Sequence, residues 1–162
     1  MKRISIAVSF LVLAAAFGAP APVSAHCQIP CGIYDDELRV QLMEEDITTI
    51  EKSMTQIVAL GAATPVDYNQ LVRWVMNKEE HAQKLQDIVT AYFMAQRIKP
   101  ATDPSDAAAM KDYVNKLTLL HAIQIHAMKA KQSTDLAEIA TLRDLVSQFR
   151  KAYFGEEAEH TH

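Results

Sequence analysis

The chain is poor in residues that break helices: its 162 residues include only four glycines and six prolines. A fold of many short strands joined by tight turns would need more of both, so this scarcity favours long helices. Aromatic residues make up only 7% of the chain, although hydrophobic residues reach 49%. The core is therefore expected to be aliphatic and rich in methionine. The length predicts one domain, or one domain with a processed segment.

The sequence also lacks an excess of positive charge. Its formal net charge is −4, and its acidic residues are scattered along the chain. A nucleic-acid binder needs a basic surface that neutralises several phosphates, and no such stripe is visible. We therefore expect no nucleic-acid partner, and we interpret the acidic residues as solvated helix faces.

No hydrophobic run is long enough to be a convincing transmembrane helix. The longest runs from Ile4 to Gly18 without a charge, which is short of the roughly 18–20 apolar residues that span a bilayer. It follows a basic start, Met1-Lys2-Arg3, and this combination is typical of a secretory signal peptide. An uncleaved N-terminal membrane anchor is the less favoured alternative.

The residues after this run predict a cleavage site. Small residues stand at the third and first positions before a cut that follows Ala25, namely Val23 and Ala25 themselves. Cleavage there would remove residues 1–25 and make His26 the first residue of the mature protein. We therefore expect an exported protein, periplasmic or extracellular, with no membrane partner after processing.

Cysteine is equally scarce, and both cysteines, Cys27 and Cys31, lie just behind the predicted cut. In an exported chain two cysteines by default form a disulfide. A bridge across so short a loop removes little entropy from the unfolded chain and would stabilise a domain weakly. A structural disulfide is therefore a poor explanation for their position.

The same residues offer a donor set to a metal ion. After cleavage, His26 supplies a primary amine and an imidazole, Cys27 an amide nitrogen and a thiolate, and Cys31 a second thiolate. Amine, amide and thiolate can close fused, nearly planar chelate rings, and two nitrogens with two sulfurs in a plane suit Ni(II) or Cu(II) better than Zn(II). Paired thiolates tend to reduce copper, which makes nickel the safer assignment. Pro30 and Gly32 would help the chain to turn back on itself. The spacing alone leaves a metal site, a disulfide and an unbridged dithiol open.

Behind these residues the pattern predicts four amphipathic helices. The first covers about Asp36–Leu60 and ends at Gly61, and Thr64-Pro65 starts a second that reaches about Ile98. Asp103-Pro104 starts the third, a polar break at residues 131–134 separates the fourth, and Gly155 ends it. The positions expected to face the core are Met43, Ile47, Ile50, Met54, Ile57 and Val58 in the first helix; Tyr68, Leu71, Val72, Val75, Leu85, Ile88, Val89, Tyr92 and Phe93 in the second; Met110, Val114, Leu117, Leu120 or His121, and Ile125 or Met128 in the third; Leu136, Ile139, Leu142 or Arg143, Val146, Phe149 and Tyr153 in the fourth.

This pattern predicts an all-α fold, an antiparallel up-and-down four-helix bundle. The residues ahead of it would form an N-terminal metal hook if they bind an ion. The expected division of the chain is a signal peptide at 1–25, a hook at 26–34, the bundle at 35–155 and a tail at 156–162. The polar segment Asn77–His81 is expected to leave the second helix exposed or kinked there.

The segment HCQIPCGIYDD resembles the N-terminal hook of the nickel superoxide dismutases, His-Cys-x-x-Pro-Cys-Gly-x-Tyr. Every fixed position of that signature is present: His26, Cys27, Pro30, Cys31, Gly32 and Tyr34. The segments NQLVRWV, NKEEHA and YFMAQRIKP also resemble the Gram-negative and cyanobacterial branch, so the resemblance spans essentially the whole mature chain. Gln28 stands where the actinobacterial form usually has aspartate, which leaves the metal ligands unaffected.

The resemblance implies an enzyme that converts superoxide into oxygen and hydrogen peroxide by Ni(III)/Ni(II) cycling, with one nickel per subunit of a homohexamer. It implies that His26, Cys27 and Cys31 are the metal ligands. It further implies that Tyr34 gates the open face of the ion. A second family tyrosine is assigned to Tyr92 by its Tyr-Phe context.

Two other functions remain possible from the residues. One is an exported nickel or copper carrier without enzymatic activity, and the other is a structural bundle with a Cys27–Cys31 disulfide. The histidines of the helices do not favour a further metal site. His81 is more typical of a surface or hydrogen-bonded histidine, and His121 and His126 are poorly spaced for two ligands on one helical face.

Overall fold

The computed structural model describes residues 35–155, and within this range it contains helices and no strand. Consecutive helices are joined by short connections, which makes them antiparallel, and the first also packs against the last. This confirms the predicted all-α four-helix bundle. The elements are α1 (Asp36–Ala62), α2 (Tyr68–Asp87), which continues without a break into a π-helical segment (Ile88–Arg97), α3 (Ala107–Gln132) and α4 (Leu136–Phe154).

Each α-helix begins behind an aspartate whose carboxylate accepts backbone N–H groups of the first turn. These N-caps are Asp35, Asp67, Asp106 and Asp135. The predicted starts at Thr64-Pro65 and Asp103-Pro104 were therefore wrong by a few residues. Thr64-Pro65 is a cis peptide in the connection, and the Asp103 carboxylate accepts the Ser105 N–H at 2.8 Å in a turn ahead of α3.

The two predicted glycine stops have different outcomes. Gly155 ends α4 with φ of +90°, and its N–H donates to the Lys151 carbonyl at 2.9 Å. Backbone with positive φ favours glycine, so this prediction is confirmed. Gly61 was wrong as a stop, because α1 passes through it and ends at Ala62.

The core is aliphatic along most of the bundle and aromatic at one end. The predicted residues Met43, Ile47, Ile50 and Met54 of α1 are fully buried, whereas Val58 is 57% exposed. In α3 the buried face is carried by Leu120, Ile123, Ala127 and Ala130, so the expectation for Ile125 or Met128 was wrong. Within residues 35–155 every helix is too short or too polar to span a bilayer.

The polar segment Asn77–His81 was predicted to be exposed or kinked, and this was wrong. Lys78 is only 4% exposed, and its ammonium donates to the carbonyls of Ala130 at 2.9 Å, Ser133 at 3.1 Å and Lys131. The last carbonyls of a helix lack partners within the helix, so a buried lysine that satisfies them at the end of α3 is favourable. The helix is regular here: Lys78 and His81 have partners on other helices, whereas the Glu80 side chain is 64% exposed and pairs with Lys84 on the surface.

Candidate active site at the start of the first helix

Of the predicted site residues, the structure describes only Tyr92. His26, Cys27, Cys31 and Tyr34 lie outside residues 35–155. The described part of the chain nevertheless begins directly behind Tyr34, with the N-cap Asp35 and the first helical residue, Asp36.

Tyr92 is 2% exposed and lies beside the first turn of α1. Its hydroxyl donates to Asp36 Oδ1 and accepts a hydrogen bond from Arg97 Nη2 at 2.8 Å. The second carboxylate oxygen of Asp36 accepts the Tyr153 hydroxyl at 2.7 Å. Arg97 Nε lies 2.8 Å from Asp36 Oδ1. One carboxylate thus joins α1, the π-helical segment and α4.

The π-helical segment is what brings Tyr92 and Arg97 together. The two residues are five positions apart, whereas side chains that meet on an α-helix are three or four apart. In a π-helix the backbone hydrogen bonds span five residues, as in the 2.9 Å bond from the Ile98 N–H to the Phe93 carbonyl. The wider turn places Arg97 over the Tyr92 ring, with the guanidinium carbon 5.0 Å from the ring centroid.

A buried aromatic cluster supports Tyr92 from the core side. Phe93 is fully buried and makes edge contacts with Tyr92, Phe149 and Tyr153, at centroid distances of 5.2, 4.9 and 5.4 Å. Such geometries are favoured by the ring quadrupoles. On the other side, the Arg39 guanidinium lies 5.3 Å from the Tyr92 centroid. Packing and cation–π contacts therefore hold the phenol ring in place.

The contacts around Asp36 lower the pKa of its carboxyl group and raise the pKa of the two tyrosine hydroxyls. Burial raises the pKa of Asp36, but hydrogen bonds from Tyr92 and Tyr153 and the charge of Arg97 outweigh it, so the net pKa is lowered. Burial and the hydrogen bond to the Asp36 carboxylate raise the pKa of Tyr92 and of Tyr153. The carboxylate is held ionised and both phenols are held protonated.

We expect Tyr92 and Tyr153 to ionise above the ordinary tyrosine pKa of about 10. Since both pKa values are raised on folding, these hydroxyls stabilise the fold fully below that pH, and the stabilisation is lost as the pH rises through the folded-state values. Ultraviolet titration of tyrosinate absorbance measures this. A late component should appear in the wild type and disappear in a double variant, Tyr92→Phe with Tyr153→Phe. An identical late component in both proteins would contradict the assignment.

The helix histidines have structural partners. His81 Nδ1 lies 2.7 Å from Asp46 Oδ1, and His126 Nδ1 lies 2.5 Å from Glu138 Oε2, while His121 is exposed. The prediction that His81 is a surface or hydrogen-bonded histidine is confirmed. Among the described residues no three histidine, cysteine, aspartate or glutamate side chains come together as a metal site.

Sequence reasoning missed three of the four network residues. Tyr153 was expected only as a core residue, and Asp36 and Arg97 were assigned no role. Asp36 is 56 positions from Tyr92 and 117 from Tyr153, so no local pattern connects them. The one available signal was the place of Asp36 directly behind the hook.

Fold and sequence together define an all-α bundle whose first helix follows a segment with two cysteines. The sequence model of the nickel-containing superoxide dismutases matches residues 21–157, which cover that segment and all four helices. The chain therefore belongs to this family. Neither a curated protein nor a solved structure matches it. Membership makes it an enzyme, an oxidoreductase that disproportionates superoxide with nickel as its cofactor.

Proposed function

We propose that the nickel of this superoxide dismutase is held by residues 26–34 of a processed chain that begins at His26. The observation that carries the proposal is the complete hook signature at a predicted cleavage site, inside the region that the family matches. The ligands in this proposal are the amine and imidazole of His26, the amide nitrogen and thiolate of Cys27, and the thiolate of Cys31.

This donor set fits nickel on chemical grounds. The His26 amine, the Cys27 amide nitrogen and the two thiolates would give the N2S2 set that suits Ni(II), with the His26 imidazole as an additional ligand. A deprotonated amide and two thiolates favour a higher oxidation state. When bound, nickel supplies one-electron chemistry between Ni(III) and Ni(II), which lets two superoxide anions and two protons give oxygen and hydrogen peroxide. A small anionic substrate needs an open coordination face more than it needs a deep pocket.

The contribution of the chain itself would be access, charge and protons. Tyr34 would gate the open face, and Tyr92 would approach it from the bundle. The guanidinium groups of Arg39 and Arg97 lie 5.3 and 5.0 Å from the Tyr92 ring centroid, and Arg97 pairs with Asp36. They would offset the negative charge of the carboxylates at the start of α1 and so ease the approach of a superoxide anion. The tyrosine hydroxyls, bound water or a protonated cysteine could supply the protons.

The assembly and location in this proposal are a homohexamer exported to the periplasm or the medium. Support for association comes from a row of exposed apolar side chains on α2. Tyr68, Val72 and Met76 are 71%, 54% and 65% exposed, so the prediction that Tyr68 and Val72 face the core was wrong. Their spacing of four places the three side chains on one helix face. Contiguous exposed apolar surface of this kind is typical of protein interfaces.

The test is N-terminal sequencing of the protein from its native cell, together with nickel analysis and native mass. We expect His26 as the first residue, one nickel per subunit and a mass six times that of the processed chain. A native, active protein that still carries residues 1–25 would overturn the proposal, because the His26 amine would then be a peptide nitrogen. Intact mass that shows a Cys27–Cys31 disulfide without metal would do the same.

A further inference from the structure

Three consecutive acidic residues open α1, and the structure gives each a different partner. The Asp35 carboxylate caps the helix and accepts the N–H groups of Glu37 at 2.8 Å and Leu38 at 3.3 Å. Glu37 forms an ion pair with Arg150 of α4. Only Asp36 contacts Tyr92. A general preference for negative charge at a helix N-terminus therefore does not account for the Asp36 contacts.

Asp36 follows the hook closely in the sequence and contacts the buried Tyr92 in the fold. Four residues separate it from Cys31 in the sequence. Its two oxygens are both used inside the protein, one by Tyr92 and one by Tyr153, and Arg97 pairs with it as well. An ionised carboxylate only accepts hydrogen bonds, so these contacts dictate that both phenols donate to it.

We propose that Asp36 is a positioning residue for superoxide turnover: it fixes the Tyr92 hydroxyl and the first turn of α1, where the hook joins, in one rigid arrangement. This inference rests on the proposed function, since it assumes that Tyr92 approaches a metal held by the hook. The Tyr92 hydroxyl donates its one proton to Asp36 and accepts one from Arg97, so two charged groups set its direction. Charge-assisted hydrogen bonds of this kind are shorter and stronger than neutral ones.

The test compares Asp36→Asn with Glu37→Gln in nickel-loaded protein that begins at His26. Both changes remove one negative charge from the same helical turn, but only the first removes a Tyr92 partner. An asparagine can also present its amide donor group to the phenol, which would turn the hydroxyl away. We expect Asp36→Asn to keep its nickel and its helix content and to turn over superoxide about tenfold more slowly. This is the low end of the 10- to 100-fold cost of losing an outer-shell partner of a metal ligand, because Asp36 acts on Tyr92 and not on a ligand itself. Glu37→Gln should stay within about twofold of the wild type.

A readout independent of activity is the tyrosine titration of the metal-free proteins. The late-ionising component should move toward the ordinary tyrosine range in Asp36→Asn and stay in place in Glu37→Gln. Equal turnover and equal tyrosine ionisation in the two variants would overturn the inference. Asp36 would then act only as one of several negative charges at the helix N-terminus.

If Asp36→Asn does not fold, Tyr153→Phe is used to test the inference instead. It removes one hydrogen bond to the carboxylate and leaves the Asp36–Arg97 pair intact. A several-fold loss of turnover with normal nickel content would support the inference, and wild-type turnover would overturn it. The titration detects the Asp36–Tyr92 contact without any metal, so a failure of the hook assignment would leave this result readable.

Discussion

A protein that carries one extra residue ahead of His26 is expected to lose more than about a hundredfold of its superoxide dismutase activity. The extension converts the His26 amine into a peptide nitrogen and so removes one proposed ligand of the nickel. Loss of an outer-shell partner alone costs about 10- to 100-fold in affinity or activity, and a direct ligand should cost more. Turnover and bound nickel are measured side by side.

The control compares the activity of one extended protein before and after a protease removes the extension. An extension that a protease removes to leave His26 as the first residue should give an inactive protein before the cut and an active one after it. Cys27→Ser and Cys31→Ser, each starting at His26, should remain inactive throughout. Full activity in the extended protein would mean that the amine is not a ligand, and the proposed site would have to be abandoned.

The fold was largely predictable because its main signals are local. The spacing of Met43, Ile47, Ile50 and Met54 reflects the 3.6-residue period of a helix, and all four are buried. Gly155 stops α4 because its φ of +90° suits glycine. Each of these inferences needs only a few neighbouring residues, so the sequence contains everything required.

The errors arose where the deciding partner is distant in the sequence. Lys78 looked like part of an exposed polar segment, but its carbonyl partners lie 52 to 55 positions further along the chain. The start of α2 was predicted at Thr64-Pro65. In the structure the side chain of Asp67 accepts the Gln70 N–H at 3.1 Å and sets the boundary. Several compatible start signals stood close together there, and local pattern could not rank them.

In the candidate site, too, the part set by neighbouring residues was predicted and the part set by distant residues was not. The hook could be read from consecutive residues, whereas Tyr92 was found only through family resemblance. Its partner Arg97 is five positions away, which an α-helix would place on a different face. The local sequence pattern did not predict the π-helical turn that unites them, and Asp36 and Tyr153 join only through tertiary packing.

Phe93→Ala is expected to destabilise the metal-free protein by about 3–5 kcal/mol, the usual range for removal of a buried phenylalanine. Phe93 is fully buried and contacts the rings of Tyr92, Phe149 and Tyr153. Alanine would leave a cavity that rigid helices on both sides could fill only in part, so lost transfer energy and lost ring contacts add. Urea unfolding at one fixed protein concentration measures the change, since association would also alter apparent stability.

Phe154→Ala is the matched control, because Phe154 is half-buried at the end of α4 and contacts the Tyr153 ring from the edge. The same atoms are removed, yet surrounding solvent and chain can fill the space, so a clearly smaller loss is expected. Phe93→Ala should also weaken the support of Tyr92 and lower turnover at equal nickel content, whereas Phe154→Ala should not. Equal destabilisation by the two changes would show that the aromatic cluster is not the packing centre that holds Tyr92 beside Asp36.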